Sequence, residues 1–342
     1  MVRQLVRIAV DIMGGDYAPD EIVNGAVLAA QRGSVEIILV GPLSIICTQL
    51  SKHQVAQLPI SCIGADEFVS EDESPVLALR RKSEATVNVA AKLVKTGEAD
   101  AMVSMGSTGA VITSALQLLG TLEGIERPII GGPILGFAPN TVIVDVGANV
   151  DCKPHQLLNF ALIGCVFARK FLNISDPSVA MLSVGVEPAK GNNLVRKAYQ
   201  LFLHSGLNFI GNIEGRDIPL GRANVVVCDG FVGNVLVKFC EGLGTTMATW
   251  LKASLAPYMP PEEINLVTTN LLSLANWADV FGGGPLLGVD GVVVIGHGSS
   301  HALEVAGAIN QAKLAVETDF VNALKSELAK FPKISIPLVY SK

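Results

Sequence analysis

Glycine-containing turns with polar side chains follow several apolar, strand-like runs in this sequence. They read VDIMGGD, SMGSTGA, VDVGANVD, SVGVEPAKGNN and VCDGFVGN. In open α/β sheets, ligands bind beyond the carboxyl ends of the strands, and the backbone N–H groups of such turns suit an anion. We therefore predict that the turns line one shared, anion-binding crevice. For any single turn, the alternative is that its glycines only make a tight connection.

Lys190 lies in the glycine-flanked turn EPAKGNN, ahead of a predicted helix that Asn192 or Asn193 would cap. A lysine at a helix N-terminus combines a mobile positive charge with oriented N–H donors, and this combination suits a phosphate group. We predict that Lys190 binds phosphate. The alternative is a solvated loop lysine.

Asn234 ends the turn CDGFVGN, in which Asp229 follows an apolar strand and the next predicted helix begins. Gly230 and Gly233 allow close backbone approach, and the Asn234 amide can donate a hydrogen bond to an oxyanion or a phosphate oxygen. The alternative role of Asn234 is that of an ordinary helix N-cap.

His297 ends a predicted strand in VVVIGHGSS, just before another helix. A histidine in this position can protonate a leaving group, or it can simply form a hydrogen bond within its turn. The sequence leaves both roles open.

The turn VDVGANVDCK carries Asp145, Asn149 and Asp151. Uncompensated carboxylates would repel a bound anion. We therefore predict that Asp145 and Asp151 orient the turn and do not bind the substrate directly.

Other catalytic chemistries lack their expected residues. SMGSTGA does not have the G-x-S-x-G frame of a nucleophilic serine. Cys152 and Cys228 lie beside polar turns, but no histidine is placed to activate either thiol. VDIMGGD lacks the G-x-G-x-x-G spacing of a dinucleotide site, and no ribose-binding acid follows about 20 residues later. A covalent cysteine mechanism and a dehydrogenase are both disfavoured.

The charge and the cysteine pattern bear on partners and location. The formal net charge is −6 without a long basic run, so we predict no nucleic-acid partner. Six scattered cysteines without C-x-x-C spacing indicate reduced thiols, and no metal-binding spacing is present. The mean hydropathy is +0.47, yet no run of about 18 uninterrupted apolar residues and no signal peptide is found. We predict a cytoplasmic protein, with peripheral contact to a membrane surface left open.

Nine strand-like runs alternate with helical stretches. This order predicts an α/β fold, an open, doubly wound three-layer α/β/α sandwich. No Pro- or Ser-rich linker divides the chain, so we expect residues 1–342 to form one catalytic domain of two intertwined lobes. The predicted strands are VRIAVD, EIILVG, PISCIGA, ADAMVSMG, TVIVDVG, SVAMLSVG, LNFIGNI, ANVVVCDG and GVVVIG.

Residues 244–277 contain both tryptophans, Tyr258 and several leucines between helical stretches. Trp and Tyr favour membrane interfaces, and amphipathic helices lie in the interface plane. We predict that this segment contributes to a dimer contact, to a tunnel for an apolar substrate chain or to membrane docking. Ordinary helix packing is the alternative.

Six motifs together resemble one family, the PlsX-type phosphate acyltransferases of bacterial phospholipid synthesis. They are VDIMGGDYAPDEIVNGA, GEADAMVSMGSTGA, VDVGANVDCKP, EPAKGNNLV, CDGFVGNVLVK and GGGPLLGVDGVVVIGHGSS, in the family's order. The resemblance implies that acyl-acyl carrier protein and inorganic phosphate give acyl phosphate and free carrier protein. It also implies a dimer without a nucleotide cofactor, in a mixed-sheet fold similar to isocitrate and isopropylmalate dehydrogenases and to phosphotransacetylase.

The resemblance also assigns site residues. The lysine of the family's K-G-N turn corresponds to Lys190, and the asparagine of its D-G-F-x-G-N turn corresponds to Asn234. With His297 as a candidate proton donor to the leaving thiol, these three form the predicted catalytic set. The Gly14-Gly15 turn is expected to frame the crevice for phosphate or for the pantetheine arm. The predicted substrate-binding residues are Asp11, Gly14, Gly15, Asp16, Ser107, Thr108, Gly109, Asn149, Asn192, Asp229, Gly230, Gly233 and Gly283.

This sequence departs from the family pattern at two places. Ser107 stands where the family usually has an asparagine, and NWADVFGGGP, with Asn276 and Phe281, replaces an Asp-Tyr pair followed by Tyr-Gly-Gly-Ala. We expect activity with an altered acyl or carrier preference.

Two rival functions are kept beside this interpretation. They are a phosphotransacetylase-like enzyme acting on acyl-CoA and a non-catalytic, membrane-associated scaffold for lipid enzymes.

Overall fold

A single mixed β-sheet organises the chain in the computed structural model, which describes residues 5–70, 72–277 and 282–330. The described strands follow the order β3-β2-β1-β4-β11-β10-β5-β6-β9-β7-β8 across the sheet. Their bounds are β1 Val6–Asp11, β2 Val35–Gly41, β3 Ile60–Gly64, β4 Ala101–Ser104, β5 Ile129–Gly132, β6 Val142–Val144, β7 Val179–Leu182, β8 Phe209–Ile213, β9 Val225–Val227, β10 Gly284–Leu287 and β11 Val292–Ile295.

Helices connect most of the strands. Within the described ranges they are α1 Asp20–Gln31, α2 Leu43–Leu50, α3 Pro75–Arg81, α4 Thr86–Thr96, α5 Thr108–Leu118, α6 Pro154–Phe171, α7 Asn193–Leu203, α8 Gly230–Leu255, α9 Pro261–Ala275, α10 Ala302–Glu317 and α11 Phe320–Lys330. A short 3-10 turn spans Gly215–Asp217. The sequence places the first helices at nearly these positions, because their apolar residues recur at helical spacing.

Successive side chains of a strand pack into apolar layers on opposite faces of the sheet. Ile8 and Val10 of β1 belong to a cluster that α1, α6, α7, α10 and α11 share, whereas Ala9 packs with α3, α4 and α5 on the opposite face. In the other half of the sheet, Val144 belongs to the first cluster and Ile143 to a third, which includes Val237 of α8. Successive strand residues point to opposite faces. Helices therefore cover both faces, which confirms the predicted three-layer α/β/α sandwich.

The two halves of the sheet run in opposite directions. The strands β3, β2, β1, β4 and β11 are parallel to one another, and so are β6, β9, β7 and β8. Between them, β10 is antiparallel to both β11 and β5, and β5 is antiparallel to β6. The division into two intertwined lobes stays a prediction, but the reversal decides where the polar turns meet.

The reversal occurs at two short, glycine-containing strands. β10 pairs with β5 only at Leu286 with Ile130 and at Leu287 with Ile129, and its first residues pair with β11 instead. Beyond these pairs, β5 continues as Gly131-Gly132 and β10 is preceded by Gly283. Residues on both sides of this junction, among them Gly132 and Gly283, line the candidate site.

Candidate active site

A cavity of about 530 Å³ lies where the two halves of the sheet meet. Its polar lining side chains include Thr108 at the start of α5, Asn234 and Lys238 on α8, and His297 after β11. Its remaining walls are mainly apolar side chains and the glycines of β5 and β10. Ligand sites are typically concave, mostly apolar pockets with a few convergent polar groups, so this cavity is the candidate active site.

Asp145 fixes the turn that follows β6. Its carboxylate is fully buried and accepts hydrogen bonds from the backbone N–H groups of Ile130 (3.1 Å), Gly147 (3.2 Å), Ala148 (3.1 Å) and Asn149 (2.7 Å). The side-chain amide of Asn149 adds a fifth bond of 2.9 Å. Burial raises the pKa of the Asp145 carboxyl, and the hydrogen bonds act in the opposite direction. The carboxylate is surrounded by protein donors, in keeping with the predicted orienting role.

The N-terminus of α8 packs directly on that turn. The N–H of Gly230 donates to the carbonyl of Asn149 at 2.7 Å, and a Cβ at Gly233 would overlap the carbonyl oxygen of Asp145. Glycine at position 233 is therefore what allows the helix to approach the turn. The packing brings Asn234 beside Gly147. If Gly147 carried a Cβ atom, that atom would lie 3.4 Å from Asn234 Oδ1.

Asn234 is not the cap of α8. The helix begins at Gly230, and the carboxylate of Asp229 caps it by accepting a hydrogen bond of 2.8 Å from Val232 N. Asn234 therefore lies in the second turn of the helix, where its side chain is exposed and lines the cavity. The capping alternative for Asn234 is wrong, because Asp229 has that role.

The turns after β1, β4 and β11 are joined on the opposite side of the cavity. Ser104 Oγ donates to Asp11 Oδ2 at 2.8 Å and accepts from Gly106 N at 3.1 Å. The N–H of Asp16 donates to the carbonyl of Gly298 at 2.8 Å. Burial is the main cause that raises the pKa of the Asp11 carboxyl. Asp11, Gly14 and Asp16 thus shape the turns that carry Thr108 and His297, and they are not among the residues that line the cavity.

Lys190 lies outside the cavity. It is exposed in the loop between β7 and α7, where its N–H donates to the carbonyl of Glu187 at 2.9 Å. Asn192 caps α7 by accepting from Val195 N at 2.9 Å. A separate hollow of about 200 Å³ is lined by Gly191, Asn192 and Asp229, among others. Asp229 lines this hollow and Gly230 lines the cavity, so both adjoin the N-terminus of α8.

The other predicted site residues divide between the cavity and its framework. Gly230 and Gly283 line the cavity together with Thr108, Asn234 and His297. Of the remaining ones, Gly109 and Gly233 lie in the first turns of α5 and α8. The others lie in the surrounding turns: Gly14, Gly15, Asp16, Ser107 and Asn149. Among these, Asn149 is buried and its amide donates to Pro128 O (2.7 Å) and to Asp145.

Lys238 is a cavity residue that was not predicted from the sequence. It lines the cavity one helical turn after Asn234, and its ammonium group lies 2.8 Å from Glu241 Oε2. The other carboxylate oxygen of Glu241 is buried and has no hydrogen-bond partner among the described residues. The spacing of four residues in NVLVK places Asn234 and Lys238 on one face of a helix, and this signal was available in the sequence.

The two cysteines near the site are protonated thiols at neutral pH. Burial raises the pKa of the Cys152 thiol to about 11, and it raises the pKa of Cys228 well above the ordinary range. The nucleophilic form of cysteine is the thiolate. The geometry therefore disfavours a covalent cysteine mechanism, as the sequence predicts.

Of the departures from the family pattern, Ser107 is the residue that precedes α5, and its side chain makes no capping hydrogen bond. Asn276 follows α9 and lies close to Gly244, while Trp277 packs against Gly136. Phe281 lies outside the described residues.

Comparison with known proteins identifies the family. A family model described as "Fatty acid synthesis protein" matches residues 6–323. The chain belongs to this family. A relative from Heliobacterium modesticaldum, named phosphate acyltransferase, is 43% identical over 327 residues, which cover 94% of this chain and 98% of the relative. A phosphate acyltransferase from Thermosynechococcus vestitus is 45% identical over 317 residues, with 91% and 92% covered. The family that the six motifs indicate is confirmed.

Solved structures share the fold of this chain at low sequence identity. A phosphotransacetylase from Streptococcus pyogenes superimposes with a TM-score of 0.63 at 20% identity, covering 92% of this chain and 94% of that chain. A putative 4-hydroxythreonine-4-phosphate dehydrogenase from Salmonella typhimurium gives 0.53 at 12% identity, covering 91% and 99%. At these identities the likeness concerns the fold, and it agrees with the expected relation to phosphotransacetylase and to dehydrogenases.

Proposed function

We propose that this chain transfers an acyl group from acyl-acyl carrier protein to inorganic phosphate, giving acyl phosphate and free carrier protein for bacterial phospholipid synthesis. The observation that carries the proposal is a single cavity that places Asn234, Lys238 and His297 beside a large apolar volume. An acyl thioester likewise combines a polar reacting group with an apolar chain. The phosphate acyltransferase relatives support the same reaction.

In the proposed reaction, a phosphate oxygen attacks the thioester carbon to form a C–O bond. The C–S bond then breaks, its electron pair goes to sulfur, and the thiolate takes up a proton. Phosphate is partly dianionic near neutral pH, so the protein needs mainly to position it and to stabilise the developing oxyanion. We assign the oxyanion or a phosphate oxygen to the Asn234 amide and the proton to His297.

Two lysines, one in the cavity and one in the loop after β7, are available for the phosphate. Lys238 lines the cavity itself, and Lys190 adjoins the hollow that Gly191 and Asp229 line. We assign phosphate binding to Lys190, as the sequence predicts, with Lys238 as a second cation. The ion pair between Lys238 and Glu241 keeps this ammonium at the wall of the cavity before the anion arrives.

The test is phosphate-dependent release of free thiol from acyl-acyl carrier protein. Asn234→Ala should lower kcat by about 10²–10³, the usual cost of removing one oxyanion donor. Asn322→Ala, which removes an exposed amide on α11, should leave kcat unchanged. Thiol release that does not depend on phosphate, or near-normal turnover by Asn234→Ala, contradicts the proposal.

The two rivals predict different results in the same assay. An enzyme for acyl-CoA would turn over acyl-CoA faster than the acyl-carrier protein at matched concentrations. A non-catalytic scaffold would release no thiol from either substrate. We expect the carrier-protein substrate to be preferred, because the chain belongs to the fatty acid synthesis family and resembles phosphotransacetylase only in fold.

We also propose that the exposed apolar side of α8 is covered by a second copy of this chain. Phe231, Val235 and Phe239 recur every four residues along the helix, and each side chain is more than half exposed. Apolar side chains at this spacing form a continuous stripe, and large exposed patches of this kind mark interaction sites. Phe239→Glu should convert a dimer into a monomer in light scattering, whereas Leu203→Glu on α7 should not.

For the tip of the α8–α9 pair we propose peripheral contact with the cytoplasmic membrane surface. Tyr258 is 83% exposed between the two helices, and Leu266 of α9 is 64% exposed. None of the described helices is long and apolar enough to cross a membrane. Vesicle flotation tests the contact: Leu266→Glu should weaken flotation with anionic vesicles, and equal flotation of both proteins would argue against it.

A further inference from the structure

The cavity has walls on both faces of the sheet. Thr108 of α5 and Lys238 of α8 belong to helices on one face, and Phe167 of α6 and Leu314 of α10 belong to helices on the other. Consecutive β5 residues, Ile130 to Gly132, also line it, although neighbouring strand residues point to opposite faces. The cavity therefore crosses the sheet.

The passage crosses the sheet just beyond the last pair between β5 and β10, which is Ile130 with Leu286. The residues that line the cavity there are Gly131, Gly132, Gly283, Gly284 and Pro285. A Cβ built on Gly132 meets no atom within 4 Å, which shows that this residue faces open space. Glycine within a strand often marks a place where a ligand approaches the backbone closely.

The two ends of the passage differ in chemistry. On the α5 and α8 face the cavity wall carries Asn234, Lys238 and Thr108. On the α6 and α10 face the wall is formed by Phe167, Phe171, Leu172 and Leu314, with the Phe167 and Phe171 rings stacked at 4.5 Å. None of the described residues 244–277 lines the cavity.

We propose that the acyl chain of the substrate passes through the sheet between Gly132 and Gly283, and that Phe171 and Leu314 set the chain length accepted. The inference rests on the proposed function, because it assigns the apolar part of the same substrate. The thioester stays with the polar groups on the α8 face, and the methylenes enter the apolar end. Burying one methylene is worth roughly a fourfold gain in binding, so the depth of the passage controls preference among chain lengths. This location lies outside residues 244–277, the segment for which the sequence predicts an acyl-chain tunnel as one of three roles.

Gly132→Val is the most direct test, since Gly132 lines the passage and a Cβ at this position meets no atom within 4 Å. We expect kcat/KM for a palmitoyl-carrier protein to fall at least about tenfold relative to butyryl-carrier protein, as if roughly two methylenes lost their contacts. Gly215→Val is the matched control. It also introduces a side chain into open space, but in an exposed turn away from the cavity, and it should leave the ratio unchanged.

Phe171→Ala provides an independent variant at the far end of the passage. The enlarged end should shift the preference toward chains longer than palmitoyl. If Gly132→Val and Phe171→Ala both keep the original chain-length ratio while the protein remains active, the inference is wrong and the proposed function stands. If the unsubstituted protein releases thiol from none of the acyl substrates in the presence of phosphate, the proposed function itself fails.

Discussion

The turns after β1 and β6 both begin with Val-Asp, yet their buried carboxylates have different partners. Asp145 accepts five hydrogen bonds, four of them from residues 147–149 of its own turn. Asp11 accepts from Met13 N at 3.2 Å and from Ser104 Oγ, which belongs to a neighbouring strand. The Asp145 carboxylate therefore holds mainly its own turn in place, whereas the Asp11 carboxylate links its turn to the neighbouring strand β4. The same dipeptide can build one wall of a site or connect two walls, according to which donors the neighbouring strands supply.

The largest effect is expected where the carboxylate has most donors. Asp145→Ala should lower the free energy of unfolding by about 3–5 kcal/mol, because it leaves several buried N–H groups without an acceptor. Urea unfolding measures the change. Asp151→Ala, in the same turn but exposed, should change stability by less than about 0.5 kcal/mol. Equal effects of the two substitutions would show that the Asp145 network is not what holds the turn.

Asp11→Ala should be milder, at about 1–3 kcal/mol, because fewer buried donors lose their acceptor. The unfolding free energy in urea again gives the value. The comparison of the two turns fails if this substitution destabilises the protein more than Asp145→Ala does.

Ser104→Ala should cost about 1 kcal/mol, since it removes one hydrogen bond to Asp11 and one acceptor for Gly106 N. The double variant with Asp11→Ala should then be less destabilised than the sum of the two single variants, by more than about 0.5 kcal/mol. Simple additivity would mean that the two side chains do not act as a unit. A cycle pairing Asp145→Ala with Ser104→Ala serves as the control and should be additive.

The smallest expected effect is a pH dependence at Asp11. Burial raises the pKa of this carboxyl in the folded protein above its unfolded value of about 3.9. Between those two pKa values the folded protein binds more protons than the unfolded chain, so this group lowers stability as the pH rises through that window. Asp11→Asn removes the titration. The stability of Asp11→Asn relative to the unsubstituted protein should therefore improve as unfolding is measured from pH 4 to pH 7, and a constant difference would contradict the assigned shift.

The sequence predicts most of the sheet and misses its centre. Nine strands are indicated by apolar runs such as VRIAVD and ANVVVCDG, because buried parallel strands are rich in Val and Ile. β5 (Ile129–Gly132) and β10 (Gly284–Leu287) are not predicted. Their glycines and prolines are typical of turns, and strand pairing at this point depends on neighbours more than 150 residues away in the chain.

The residues of the candidate site also divide into those that the sequence predicts and those that it misses. Spacing and residue type identify Asn234, His297 and Thr108, all of which line the cavity. Lys238 was missed, although its helical spacing from Asn234 was available. Lys190 lies in the separate loop after β7, a strand that is farther from the junction of the two halves than β6 and β9 are. The residue list alone does not contain this strand order.

The sequence by itself determined the family, the three-layer architecture and the polar turns at the strand ends. These properties follow from local patterns: apolar periodicity, glycine beside polar residues, and motifs in a fixed order. Only the tertiary structure decided which turns share a cavity and where that cavity leads. The physical reason is that both depend on the direction of β5 and β10 and on where their pairing ends, which are set by contacts between distant segments.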